Sequence, residues 1–175
     1  DQTVRRRAEA AGLRPEELAL DLMLENDGTN MLWLPFSNYG QMNLDGTREL
    51  LTHPYTVPAL SDGGAHVGTI CDGSFPTTLL QHWGRDRPEG RIDVEFLVQR
   101  QSRDTARTVG LHDRGVLAPG YRADLNVIDF DRLGVRSPEL AYDLPAGGRR
   151  ILQRADGYVH TIVAGEETYA DGEAT

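Results

Sequence analysis

Hydrophobic and polar residues form two kinds of pattern along the first part of the chain. After Pro15, apolar side chains recur at helical spacing behind two acidic residues, which suit the positive end of a helix dipole. Shorter helices are predicted over residues 3–11 and 45–51. Between these helices, the apolar runs at 30–36 and 56–60 are typical of short buried strands. This succession predicts an α/β fold, in which functional side chains follow the carboxyl ends of strands.

The pattern changes about two thirds of the way along the chain. Residues 123–130 alternate apolar and polar side chains, which favours a strand. Residues 158–169 have the pattern of a hairpin with Ala164-Gly165 at its turn. We therefore predict two domains, an α/β part over residues 1–110 and a small β part over residues 111–175.

Composition narrows the class of partner. The 175 residues carry 18 basic and 27 acidic side chains, and a net charge of −9 disfavours nucleic acid and anionic membranes as partners. No apolar run approaches the length of a membrane-spanning helix. The single cysteine, Cys71, excludes a disulfide framework and a cysteine-rich zinc site, and favours a cytoplasmic location. All basic residues are arginine, so this chain supplies no lysine for Schiff-base chemistry.

The segment S-D-G-G-A-H at residues 61–66 is the most informative for chemistry. Asp62 directly follows a predicted strand, and the two glycines after it allow a sharp turn and leave space for a ligand beside the carboxylate. Such a carboxylate can bind a metal ion or exchange a proton with a water molecule. Asp-Gly is also a frequent turn dipeptide, and the segment taken alone favours that structural interpretation.

Four further residues are candidates for contacts with a substrate. His66 lies four residues after Asp62, and His82 lies beside Trp83 in a helical turn predicted over 77–83. Tyr39 follows the first predicted strand, where this class of fold presents ligand contacts. Arg85 could pair with a substrate carboxylate, although solvated loop arginines are more common.

Three stretches together resemble the amidohydrolase superfamily. They are L-S-D-G-G-A-H-V at 60–67, G-L-H-D-R-G-V-L-A-P-G-Y-R-A-D-L at 110–125 and the closing T-I-V-A-G-E at 161–166. The second stretch is similar to amidohydrolases at large. Its combination with Asp62 and the segment after it resembles the D-aminoacylase branch, the N-acyl-D-amino-acid deacylases of amidohydrolase family 3.

The resemblance implies a metal-dependent (β/α)₈ barrel beside a small β-sandwich. Residues 1–110 would be the C-terminal part of the barrel, and residues 111–175 would supply strands of the sandwich. Asp62 matches the family's aspartate that contacts the metal and carries protons for a metal-activated water, which attacks the amide of an N-acyl-D-amino acid. The implied cofactor is zinc, as one or two ions with most ligands outside this chain. The implied macromolecular partners are the remainder of the same polypeptide and a second copy of the chain.

The sequence also departs from this family. It lacks the family's His-x-His ligand pair, and I-C-D-G-S-F-P-T at 70–77 stands where the family has a His-Pro-Arg segment. We therefore expect that the isolated chain holds no zinc in a working site, and that it is unstable or associates through exposed strand edges. Two alternatives stay open: a non-catalytic, barrel-derived module that binds a small ligand or a partner, and a cyclic-amide hydrolase.

Overall fold

The structure, a computed structural model, describes residues 3–35, 37–59, 61–64 and 67–175. The chain divides into two compact units, Asp1–Thr52 and His53–Thr175. Of the helices in the described ranges, none combines the length and the apolar character needed to cross a bilayer.

The regular elements that the structure describes in the first unit are helices. Helix α1 (Val4–Ala11) begins where the Thr3 hydroxyl accepts a hydrogen bond from the Arg6 amide at 3.4 Å. Helix α2 (Pro15–Gly28) loses helical dihedral angles at Glu25, Asn26 and Asp27, so its regular part ends there. Helix α3 (Asp45–Thr52) completes the unit. The three helices predicted from the sequence are confirmed.

The predicted strands at 30–36 and 56–60 are wrong for the residues that the structure describes. Residues 30–35 and 56–59 are irregular, and Phe36 and Leu60 lie outside the described residues. A strand needs a hydrogen-bonded neighbour, and every described strand follows Gly110 in the sequence. Without a neighbouring strand to pair with, these apolar runs stay irregular.

The second unit opens with two helical runs. The first joins α4 (Phe75–Thr78) to a π-helical segment (Leu79–Asp86), and confirms the helical turn predicted at 77–83. The second joins α5 (Val94–Gln99), a π-helical segment (Arg100–Asp104) and α6 (Thr105–Thr108). The unit's buried apolar side chains are Leu79, Leu80, Trp83, Ile92, Leu97, Ala106 and Leu133.

The strands of the second unit form antiparallel sheets. The described strands are β1 (Leu125–Ile128), β2 (Gly134–Val135), β3 (Glu139–Leu144), β4 (Gly148–Leu152), β5 (Ala155–Asp156), β6 (Tyr158–Val163), β7 (Glu166–Ala170) and β8 (Glu173–Ala174). The larger sheet has the order β1-β6-β7-β8, and two strand pairs, β2 with β5 and β3 with β4, accompany it. The strand predicted at 123–130 and the hairpin predicted at 158–169 are confirmed.

The fold class is thus a mixture of helices and sheets. In the described residues, the α- and π-helices precede Gly110 and the strands follow it, with a short 3-10 helix (Pro145–Gly147) between β3 and β4. The helices from α4 onward lie with the strands in the unit His53–Thr175. The division into domains at residue 110, the (β/α)₈ barrel and the sandwich stay predictions.

Candidate active site

Asp62 lies on a short exposed segment that is held by its main chain. Its carbonyl accepts a hydrogen bond from the Asp72 amide at 2.8 Å. Gly63 passes beside Gly73, whose nitrogen lies 3.6 Å from the position that a Cβ on Gly63 would occupy. Gly64 has a φ of +111°, which favours glycine. Residues 61–64 therefore run beside residues 72–73, with Asp62 accessible to solvent.

Cys71 is half-buried next to this segment. Burial raises the pKa of its thiol, and the neighbouring Asp72 carboxylate raises this pKa further. Both effects disfavour the thiolate, which is the nucleophilic form of cysteine. Cys71 thus has the properties of a small, partly buried apolar side chain.

His82 is half-buried on the π-helical segment. Its ring meets Trp83 edge-on, with 5.1 Å between the ring centroids. Burial lowers the pKa of His82; the nearby Arg87 lowers it further, and Asp86 opposes the shift. The neutral imidazole, with one donor and one acceptor nitrogen, is the form that this environment favours.

Arg85, three residues along the same segment, contacts the strand region. One guanidinium nitrogen donates to the Phe130 carbonyl and, at 3.1 Å, to the Asp131 carbonyl. Its Nε donates to Asp86 at 2.6 Å, and the guanidinium lies 5.7 Å from the centre of the Phe130 ring. A substrate carboxylate would have to replace some of these contacts. The predicted role of Arg85 in substrate binding stays a prediction.

The structure does not test the remaining two predicted residues against Asp62. Tyr39 belongs to the unit Asp1–Thr52, where it is half-buried and meets the Trp33 ring edge-on at 6.3 Å between centroids. His66 lies outside the described residues. Their substrate contacts stay predictions.

The described residues do not by themselves fit a metal site. No three histidine, cysteine, aspartate or glutamate side chains within the described ranges are grouped so that they could hold an ion. Asp62 by itself would supply one ligand, whereas a catalytic zinc ion takes three protein ligands as a rule. The described residues therefore do not supply the ligands of a catalytic zinc ion.

Two contacts near Asp62 could not be predicted from the sequence. The Ser74 hydroxyl donates to the side-chain carbonyl of Gln153, and the Thr77 and Tyr158 hydroxyls are 2.8 Å apart. These partners are 79 and 81 positions apart in the sequence. Short-range spacing carries no signal for such pairs. The one local sign is a threonine within an apolar helical turn, where a buried hydroxyl needs a partner.

Curated proteins similar to this chain match it over only part of their own length. A 5-methylthioadenosine/S-adenosylhomocysteine deaminase of Desulfitobacterium hafniense is 34% identical over 100 residues, covering 51% of this chain and 23% of the relative. An uncharacterized protein of Mycobacterium tuberculosis is 29% identical over 174 residues, covering 95% of this chain and 28% of the relative. A dihydroorotase of Desulforapulum autotrophicum is 48% identical over 48 residues, covering 27% of this chain and 11% of the relative. The chain thus spans less than a third of each of these proteins.

No solved structure matches the chain. A family model described as "Amidohydrolase family" matches residues 2–169, which include Asp62, both helical runs and most of the strands. This match covers nearly the whole chain, and the chain belongs to the Amidohydrolase family.

Proposed function

We propose that this chain is part of a metal-dependent hydrolase that cleaves a linear amide, with an N-acyl-D-amino acid as substrate and Asp62 as the proton carrier. The family match over residues 2–169 carries this proposal. The placement of Asp62 supports it, because a solvent-accessible carboxylate on a segment held by its main chain can meet both a substrate and a water molecule.

The role of Asp62 follows from the balance of the reaction. As a water oxygen bonds to the amide carbon, the Asp62 carboxylate accepts a proton from that water. Protonated Asp62 then delivers this proton to the amide nitrogen as the carbon–nitrogen bond breaks. The products are a carboxylic acid and a free amine, and Asp62 returns to its starting state.

Zinc is the proposed cofactor, and when bound it would polarise the attacking water. The proposal places most of its ligands outside this chain, because the described residues bring no three suitable side chains together. The remainder of the polypeptide is therefore the first proposed partner, and a second copy of the chain is another. A cytoplasmic location is part of the same proposal.

A second candidate function is hydrolysis of a cyclic amide. The 48% identity to a dihydroorotase over 48 residues favours it, because dihydroorotate contains an amide bond within a ring. The deaminase relative adds a third reaction to be tested, the removal of an amine from 5-methylthioadenosine. In each case Asp62 would move a proton between water and a leaving nitrogen.

The test uses the full-length gene product, with zinc content measured beside turnover of N-acetyl-D-amino acids, dihydroorotate and 5-methylthioadenosine. Asp62→Asn keeps the size of the side chain and removes its basic oxygen. We expect kcat to fall by about 10²–10⁴-fold, the usual contribution of a proton-transfer group. The matched control is Asp171→Asn, an exposed aspartate of the same unit that lies outside this segment, which should retain kcat.

The outcomes separate the candidates. Unchanged kcat in Asp62→Asn would remove Asp62 from the chemistry. Turnover of dihydroorotate alone, or of the nucleoside alone, would replace the N-acyl-D-amino acid as substrate. A protein without zinc and without turnover of any of these compounds would support the alternative of a non-catalytic binding module.

A further inference from the structure

Two hydrogen-bonded bridges connect the C-terminal strand region to the segment beside Asp62. In the first, Ser74 donates to the Gln153 side chain, whose amide nitrogen donates in turn to the Arg136 carbonyl at 2.8 Å. In the second, the hydroxyls of Thr77 and Tyr158 lie 2.8 Å apart. All of these residues belong to the unit His53–Thr175.

A short series of main-chain bonds continues from these bridges to Asp62. The Thr77 amide donates to the Ser74 carbonyl at 3.0 Å, and the Phe75 amide donates to the Asp72 carbonyl at 3.0 Å. The Asp72 amide donates to the Asp62 carbonyl at 2.8 Å. The turn at residues 72–77, which includes the start of α4, is thus bonded to Asp62 through Asp72, to Gln153 through Ser74 and to Tyr158 through Thr77.

The Asp62 segment has little packing of its own. Asp62, Gly63 and Gly64 are exposed, and a Cβ on Gly63 would meet only main-chain atoms of Gly73 at ordinary contact distance. By contrast, Thr77 is only 4% exposed, and its hydroxyl bonds to that of the half-buried Tyr158. This bond is costly to break, because the buried Thr77 hydroxyl would be left without a partner.

We propose that Tyr158 and Gln153 are positioning residues for Asp62: they fix the turn at 72–77, and this turn fixes the main chain of the proton carrier. The inference rests on the proposed function of Asp62. Neither residue touches the reacting atoms. Their effect is to hold the Asp62 carboxylate where it meets water and the leaving nitrogen, and such placement is sensitive to small shifts.

The test uses the full-length gene product and variants that each remove one hydroxyl. Tyr158→Phe and Thr77→Val delete the two halves of the same bond. We expect each to lower kcat by about ten-fold with little change in KM, since a displacement of about 1 Å costs up to about 100-fold. The double variant should be no slower than the slower single variant, because both substitutions remove one interaction.

Two controls and one further variant separate positioning from general stability. Thr77→Ser keeps a hydroxyl and should retain kcat. Tyr142→Phe makes the same chemical change on an exposed tyrosine of β3 and should leave kcat unaltered. Ser74→Ala removes the other bridge and should lower kcat in the same manner as Tyr158→Phe, which keeps the test available if one variant folds poorly.

A second measurement does not depend on catalysis. Hydrogen exchange of the Asp72 amide, followed by mass spectrometry, should be faster in Tyr158→Phe and Ser74→Ala than in the wild type or Tyr142→Phe.

The two proposals fail in different ways. If Asp62→Asn retains kcat, the proposed function is overturned, and the exchange of the Asp72 amide still decides whether the bridges fix the turn. If Asp62→Asn is inactive while Tyr158→Phe keeps its kcat and its Asp72 exchange rate, the positioning role is overturned. A lowered melting temperature with unchanged kcat would likewise reduce Tyr158 to a structural residue.

Discussion

Arginine side chains connect distant parts of the chain at the scale of single residues. Arg100 is only 8% exposed, donates to the His53 carbonyl and lies 5.1 Å from the centre of the Phe96 ring. Arg85 makes the corresponding link from the π-helical segment to the carbonyls of Phe130 and Asp131. A guanidinium has five donors on a planar group, so it can satisfy carbonyl oxygens and lie on a ring at once. These contacts make both arginines structural elements of the second unit.

The close approach of Gly157 to Leu133 requires a glycine at position 157. Replacing Gly157 tests this contact. Gly157 has a φ of +93°, and a Cβ there would lie 2.6 Å from the Cα of the fully buried Leu133. Gly157→Ala should therefore lose about 1–3 kcal/mol of stability to backbone strain and about 1–3 kcal/mol more to overpacking. The thermal midpoint of the full-length gene product measures this loss.

Gly165→Ala is the matched control for that substitution. Gly165 has a φ of +86°, but nothing lies within 4 Å of the position of its Cβ. Gly165→Ala should therefore show only the loss of stability from backbone strain. Equal midpoints for the two alanine variants would mean that the close approach of Gly157 to Leu133 is absent from the folded protein.

At the scale of elements, the sequence predicts local structure well and long-range structure poorly. Helix α1 and the turn between β6 and β7 depend on nearby residues such as Thr3 and Ala164-Gly165, so their signals are present in the sequence. The apolar run at 30–35 forms no strand, because a strand also depends on a neighbour that spacing does not reveal. The candidate site shows the same difference between local and long-range features. The motif around Asp62 can be recognised, whereas the pairing of Thr77 with Tyr158 depends on folding over 81 positions.

The environment of the π-helical segment predicts a pH dependence of stability. Burial lowers the pKa of His82 below its ordinary value of 6.5. Above that value neither the folded nor the unfolded state holds the proton. As the pH falls below about 6.5, the unfolded state binds the proton first, so stability decreases until the folded state is also protonated.

His82→Gln should therefore show a smaller loss of stability on acidification than the wild type. Thermal midpoints of the full-length gene product at about pH 7.5 and about pH 5.5 cover the range where histidine titrates. The pKa of the Asp86 carboxyl is lowered by Arg85 and Gln81, so its effect lies below its ordinary value of 3.8 and outside this range. His112→Gln, at an exposed histidine, is the control and should follow the wild type. An identical pH dependence in His82→Gln and the wild type would contradict the prediction.

At the scale of the whole molecule, the two units differ in how they use their apolar residues. The second unit buries Leu97 and Leu133 almost completely. Both units expose large apolar side chains, such as Trp33 at 81% in the first and Leu117 at 84% in the second, but among its described residues the first unit buries only Ala8 and Leu22. Large exposed apolar groups are typical of surfaces that contact another part of a protein. Since the chain spans 28% of its mycobacterial relative, the remainder of the polypeptide is the proposed cover for this surface.

The two tryptophans of the chain allow this proposal to be tested, because they have opposite exposure. Trp83 is 3% exposed in the second unit, whereas Trp33 is open to solvent in the first. Oxidative footprinting with mass spectrometry reports the modification of each residue separately. In the isolated 175-residue chain, Trp33 should be modified readily and Trp83 slowly. In the full-length gene product, Trp33 should become protected while Trp83 stays unchanged as an internal control.

Protection of Trp33 that appears only at high concentration of the isolated chain would identify a second copy of the chain as the partner that covers this surface. Equal modification of Trp33 in every sample would show that this apolar surface stays open, and that the remainder of the polypeptide does not pack on it.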